Sequence, residues 1–180
     1  MSDKKKILFL DRDGVINKRL IDDYVTKVDE FEFIPGVLEA IVKFNKVFDR
    51  VFIVTNQQGI AKGLMTEEDL SAIHRFMLET IESSGGKVDA VYYCPHFRNE
   101  GCSCRKPNTG MYLLALKDFS DIKDAQLFMV GDTSSDMQFA KNIGAVSVMI
   151  SNQTENLSDN YNFVFVSLKK FADDIYLVLD

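Results

Sequence analysis

With 180 residues, 46% of them hydrophobic and 27% charged, the chain is long and apolar enough to fold around its own core, which excludes a disordered protein. A net charge of -6, with no stripe of basic and aromatic residues, argues against a general nucleic-acid binder. No apolar run approaches membrane-spanning length, and the one behind the opening Met-Ser-Asp-Lys-Lys-Lys stops at Asp11, too short for a signal core, so the expected location is cytoplasmic.

Residues 7–10 form a short apolar run that breaks into Asp11-Arg12-Asp13-Gly14, the pattern of a buried strand entering a loop. Further apolar runs at 51–55, 88–94, 127–131, 145–150 and 163–166 read as strands. Helical spacing lies between them. Val37, Leu38, Ile41, Phe44 and Phe48 share one face of a helix over 36–48. Thr66 followed by Glu67-Glu68-Asp69 caps a second helix that runs toward Ile81. Residues 108–119 and 134–143 give two more, the last closed by Gly144. The tail, 167–179, reads as one amphipathic helix with Leu168, Phe171, Ile175 and Leu179 facing inward. Strand and helix in alternation predict an α/β fold, a Rossmann-like doubly wound parallel sheet, within one domain over 1–180. No repeat or linker interrupts it.

In such sheets ligands bind beyond the carboxyl ends of the strands, where Asp11 and Asp13 fall. Two acids that close repel each other unless a cation lies between them, although a solvated turn is the plain alternative. Gly131-Asp132 presents another acid at a strand end, and Asp132 is placed to join Asp11 and Asp13 around one Mg²⁺. Asp136, one helical turn later, reads as a helix cap or a support for the metal ligands. Thr55-Asn56-Gln57-Gln58-Gly59 offers uncharged donors to an anion, or is simply a strand-to-helix turn. Lys106 supplies a fixed positive charge, and Arg105 beside it a fork for a second anion; a surface basic pair is the alternative. All three cysteines, Cys94, Cys102 and Cys104, fall close together with His96, one of only two histidines. Three thiolates and an imidazole make a closed tetrahedral Zn²⁺ set with no position left for substrate; a disulfide with a spare thiol is the rival. His74 reads as an ordinary helix residue.

Asp11-x-Asp13-Gly14, Thr55, Lys106 and Gly131-Asp132-x-x-x-Asp136 stand in the order of the four motifs of the haloacid dehalogenase superfamily, which the first 150 or so residues resemble. Cys94-Pro95-His96, Cys104-Arg105-Lys106-Pro107, Tyr24-Val25 and Thr55-Asn56-Gln57-Gln58-Gly59-Ile60 resemble its heptose bisphosphate and histidinol-phosphate phosphatase branch, which has no large cap domain. The resemblance implies a Mg²⁺-dependent phosphatase acting on the 7-phosphate of D-glycero-D-manno-heptose 1,7-bisphosphate, toward nucleotide-heptose and lipopolysaccharide precursors, with histidinol phosphate as the alternative substrate. It implies that Asp11 is phosphorylated and that Asp13 is acid then base, which requires a raised Asp13 pKa. It further implies that Thr55 and Lys106 hold phosphoryl oxygens, and that Asp11, the Asp13 carbonyl and Asp132 hold the metal. By the same resemblance Asp22, Asp23, Tyr24, Asn56 and Gln57 contact sugar hydroxyls. Lys18 and Arg19 read as a solvated surface pair, the alternative being a contact to a second phosphate. Thr133 stands where heptose enzymes can carry a basic residue, which leaves anomer preference open. A phosphorelay receiver and a zinc-knuckle module are the rivals of other classes; the first lacks a use for the second acid and the zinc set, the second fits poorly with the acidic balance. The expected partner is a small phosphorylated sugar, with no nucleic acid or membrane, and a monomer is the default.

Overall fold

A computed structural model of the chain describes residues 4–21, 23–152 and 161–179. It contains six strands, β1 (Lys6–Leu10), β2 (Arg50–Asn56), β3 (Ala90–Cys94), β4 (Gln126–Gly131), β5 (Val146–Ile150) and β6 (Phe163–Phe165). They form one parallel sheet in the order β3-β2-β1-β4-β5-β6. The central strands β1, β2 and β4 have apolar, buried middles because both faces of the sheet are covered there. In β1, Leu8 and Leu10 join Ile53, Phe128 and Val130 in one core, while Ile7 and Phe9 join Phe52, Val54 and Met129 in the other.

The first core is closed by α1 (Val37–Phe44), α2 (Glu67–Ser83) and α5 (Leu168–Asp173), through residues such as Ile41, Phe44, Ile73 and Phe171. The second is closed by α3 (Gly110–Asp118) and α4 (Ser134–Ile143), through Met111, Ala115, Phe139 and Ala140. The N-cap predicted at Thr66 is present and is part of a full capping box, the Thr66 hydroxyl accepting from Asp69 N while Asp69 accepts from Thr66 N.

Several boundaries differ from the sequence reading by a residue or two, and three of the differences concern the packing. The helix read over 36–48 stops at Phe44, yet Phe48 keeps its inward place, its ring 5.9 Å from that of Phe44 and 5.2 Å from that of Phe128. The third strand begins at Ala90 and not at Val88. The tail is two short helices, α5 and α6 (Tyr176–Leu179), split at Asp174 and Ile175. Ser167 caps α5 by accepting from Lys170 N, and Leu168, Phe171, Ile175 and Val178 are all buried. Among the described residues no helix is long and apolar enough to cross a membrane.

The chain order moves outward from β1 through β2 to β3, then returns to β4 on the other side. The crevice at a topological switch point therefore opens between β1 and β4, where strand ends bring Asp11 and Asp132 together.

Candidate active site

Asp11 leaves β1 still paired to β4, its N–H donating to Val130 O at 2.9 Å. The chain then turns tightly, with the Arg12 carbonyl accepting from the N–H groups of Val15, Ile16 and Asn17. Gly14 takes φ +92°, and a methyl there would lie 2.0 Å from Asp132 Oδ2. Glycine is required twice over, by conformation and by closeness. Gly131 serves the same end from below: a methyl there would lie 2.2 Å from the Asp136 Cβ.

Lys106 is the buried cation of the site. Its ammonium donates to Asp11 Oδ1 at 2.8 Å and to Val54 O at 2.7 Å, and pairs with Asp136 Oδ1 at 2.6 Å. Those three acceptors match its three protons, so Lys106 here fixes the two acids and holds no vacant donor. Its backbone is pinned in turn by Asn56, which accepts from Lys106 N at 3.0 Å and donates to Lys106 O at 3.2 Å. Burial pushes the Asp11 carboxyl up to about 7, against the pull of Lys106 and with repulsion from Asp136, Asp132 and Asp13 adding to it. Asp136 also completes the α4 capping box with Thr133, the capping role read for it.

Asp13 corrects an expectation. A crowd of acids was to raise its pKa; burial does push it up, but the charge of Arg12 and hydrogen bonds from Arg12, Asn17 and Gln57 outweigh that and leave it below the ordinary carboxylate range. Arg12 Nη2 and Asn17 Nδ2 donate to Oδ1 at 2.9 and 3.0 Å, and Gln57 Nε2 donates to Oδ2 at 2.8 Å. The hydrogen-bond partners of Asp13 are donors, and they outweigh the acid nearby. Gln57 Nε2 also donates to Thr55 Oγ1 at 2.8 Å, leaving the Thr55 hydroxyl its own proton to give.

Arg12 is fully buried, which no local sequence pattern foretells. Its Nη1 lies 3.2 Å from His74 Nε2, and since guanidinium only donates, that nitrogen must accept and the ring is neutral. Burial, aided by the Arg12 charge, pushes His74 down to about 3. His74 is thus a support for Arg12, more than the ordinary helix residue it was read as.

The reading of Lys18 and Arg19 as a solvated pair holds for one of them. Lys18 pairs with Glu32 at the surface. Arg19 instead turns into the site: Nε donates to Asp132 Oδ2 at 3.0 Å and Nη2 to Oδ1 at 2.7 Å, while Nη2 also donates to Asp13 O at 2.8 Å and lies 3.8 Å from Asp11 Oδ2. Sequence spacing could not reveal this, because the loop's path is set by tertiary contacts. Asp11, Asp132 and Asp136 each bring a carboxylate oxygen within 4.8 Å of the others.

The acids open into a cleft of about 880 Å³. Arg98, Arg105 and Lys62 line it with Asp23, Tyr24, Asn56 and Gln57; Arg98 was not singled out from the sequence. Lys62 Nζ lies 4.9 Å from the centre of the Tyr24 ring. Asp22 lies outside the described residues. Beside the cleft, Cys94, His96, Cys102 and Cys104 converge. The Cys102 sulfur is 3.5 Å from that of Cys94 and 3.6 Å from that of Cys104, and His96 Nδ1 is 3.5 Å from Cys94 Sγ and 3.1 Å from Cys104 Sγ. All three cysteines are free, which excludes the disulfide alternative in this structure. Arg105 Nη1 donates to His96 O at 3.4 Å, linking the cluster to the cleft wall.

Residues 103–171 match the HAD-hydrolase-like family model. A D-glycero-alpha-D-manno-heptose-1,7-bisphosphate 7-phosphatase of Campylobacter jejuni is 40% identical over 170 residues, covering 94% of this chain and 95% of its own. A protein of the same name from Mycobacterium bovis is 40% identical over 140 residues, 78% and 74% of the two chains. Among solved structures, the D,D-heptose 1,7-bisphosphate phosphatase of Bordetella bronchiseptica, complexed with magnesium and phosphate, superimposes with TM-score 0.84 at 34% identity, covering 96% of this chain and 98% of that one.

Proposed function

We infer the reaction from one premise: the chain belongs to the haloacid dehalogenase-like phosphatases, alongside the D-glycero-D-manno-heptose-1,7-bisphosphate 7-phosphatases. It is a phosphoric monoester hydrolase that removes the 7-phosphate of heptose 1,7-bisphosphate and releases the heptose 1-phosphate. The observation that carries this reading is the meeting of Asp11, the Asp13 carbonyl and Asp132 on a single positive nitrogen, the Arg19 Nη2. Three hard oxygen donors around one point suit Mg²⁺. When bound there, Mg²⁺ would neutralise charge on the transferring phosphoryl group and favour the ionised form of Asp11.

Asp11 is the nucleophile: Lys106 donates to Oδ1 and fixes the carboxylate in place, and that carboxylate attacks phosphorus. The phosphorus–sugar oxygen bond breaks as the aspartyl-phosphate forms. Asp13 protonates the leaving oxygen and then takes a proton from the water that cleaves the acyl-phosphate. Its low pKa suits the second step; for the first, the negative charges of an arriving phosphate oppose Arg12 and favour the protonated acid. Thr55 offers its hydroxyl proton to a phosphoryl oxygen, and Lys106 holds the charge of the site constant. Arg105 and Tyr24 face the cleft as contacts for the sugar and its second phosphate. Asn56 and Gln57 hold Lys106, Asp13 and Thr55 in position and also line the cleft, where they contact the sugar.

Cys94, His96, Cys102 and Cys104 hold a structural Zn²⁺. Tetrahedral zinc with sulfur at about 2.3 Å sets its sulfurs roughly 3.8 Å apart; the separations here are 3.5 and 3.6 Å.

A substrate panel tests the reading. With Mg²⁺, kcat/KM for one or both anomers of heptose 1,7-bisphosphate is expected to exceed that for histidinol phosphate by about 10⁴-fold, the discrimination of a site built to hydrogen-bond its substrate. Faster turnover of histidinol phosphate would overturn it, and Asp11→Asn is expected to release no phosphate from either.

A further inference from the structure

Arg19 occupies the point that the proposed function gives to Mg²⁺. Its Nη2 stands 2.7 Å from Asp132 Oδ1, 2.8 Å from Asp13 O and 3.8 Å from Asp11 Oδ2. The space is made for it, since a methyl on Gly14 would lie 2.0 Å from Asp132 Oδ2 and 3.2 Å from Arg19 Nε. A guanidinium and a dication cannot share these oxygens, because Mg²⁺ holds its ligands at about 2.0–2.1 Å. One has to leave. The Arg19 side chain is 47% exposed and borders the cleft that Arg98, Arg105 and Lys62 also line. Once its fork on Asp132 is broken, the strongest anion within reach of a long, flexible side chain is the bound substrate.

We propose that Arg19 exchanges partners during binding: it holds the metal's place in the metal-free enzyme and, displaced by Mg²⁺, holds the phosphate that is not transferred. The second half rests on the bisphosphate reading above; the first does not. Two consequences follow. Metal binds the free protein more weakly than the same acids would without Arg19, because it must first displace a paired charge. The second phosphate gives the freed arginine a new partner, so metal and bisphosphate strengthen each other's binding by one reciprocal factor.

The first half is read from Mn²⁺ affinity by electron paramagnetic resonance, with no substrate present. Arg19→Ala and Arg19→Gln are expected to bind Mn²⁺ about tenfold more tightly than the wild type, with Arg19→Lys between. Circular dichroism and thermal melts identify any variant that fails to fold, and the remaining variants then decide the point. Equal or weaker Mn²⁺ affinity in the folded variants would overturn the exchange. The second half is read from initial rates. KM for heptose 1,7-bisphosphate is expected to rise about tenfold in Arg19→Gln, while KM for heptose 7-phosphate, which lacks the second phosphate, changes less than about twofold. A parallel rise for both substrates would overturn this half. Wild-type protein inert toward the bisphosphate would sink the functional reading and this half with it, while the Mn²⁺ result would still judge the metal exchange.

Discussion

Gly131 and His74 show how much of the site depends on residues that touch no substrate. Gly131 leaves room for Asp136 to rise beneath β4 and meet Lys106. Gly131→Ala is expected to cost about 1–3 kcal/mol in urea unfolding, as overpacking does, and to weaken activity by shifting Asp136; an unchanged midpoint would contradict that packing. His74 bears on pH. Its pKa falls from the ordinary 6.5 to about 3 on folding, so below 6.5 the unfolded chain binds a proton that the folded chain refuses. Its share of stability is complete above 6.5 and is lost as pH falls toward 3. Unfolding at pH 7 and pH 4.5 is therefore expected to separate the proteins: the wild type should lose more stability over that interval than His74→Gln. Equal losses would show that His74 is not the group refusing the proton. Asp11 runs the opposite way in the metal-free protein, since its pKa rises to about 7 and the folded state there favours the proton. His74 could not be assigned its role from sequence, because its partner Arg12 is remote in the chain, and the close approach of Asp136 to Gly131 serves a contact to the equally remote Lys106. The acids themselves were legible, since strand-end position follows from the apolar runs before them.

The loop that carries the cysteines and the tail are the two segments where local pattern and tertiary context part company. Spacing alone brought Cys94, His96, Cys102 and Cys104 into one set, and they do converge. What spacing could not supply is their link to the cleft. The Arg105 fork donates to His96 O, Asn108 Nδ2 donates to Cys102 O at 2.7 Å, and Gly110 N donates to Ser103 O at 2.9 Å. Removing zinc by chelation, or by Cys94→Ser, is accordingly expected to lower the melting temperature and to raise KM for substrate by about tenfold or more through misplaced Arg105 and Lys106. Zinc content near one per chain is expected by elemental analysis; a zinc-free protein with full substrate affinity would remove the loop's proposed role. In the tail, the inward residues were legible and the helix length was not, because the apolar spacing continues across the break at Asp174 and Ile175. Phe171 is fully buried, with its ring 5.1 Å from that of Phe44 and 5.4 Å from that of Phe165. Phe171→Ala is expected to cost about 3–5 kcal/mol, measured by denaturant unfolding. A loss below about 1 kcal/mol would mean that the tail adds little to the core, given the usual price of such a truncation.

Across the molecule, one parallel sheet sets the geometry on which the chemistry depends. Strands β1, β2 and β4 end on the same edge, delivering Asp11, Thr55 and Asp132 to one site from three distant parts of the sequence, with Cys94 at the end of β3 beside it. Continuous apolar runs made those strands legible, because burial on both faces leaves no polar alternation to confuse them. The edge strand β6, read over 163–166, is three residues long and pairs with β5. The path of the loop after β1, which turns Arg19 inward, was legible in no local pattern. The account as a whole depends on Asp11 carrying the phosphoryl group. Enzyme quenched during turnover of heptose 1,7-bisphosphate with Mg²⁺, reduced with borohydride and digested, tests this directly by peptide mass spectrometry. The expected result is reduction of the side chain at Asp11, absent when substrate is omitted; reduction at another carboxylate, or at none during steady turnover, would contradict the mechanism.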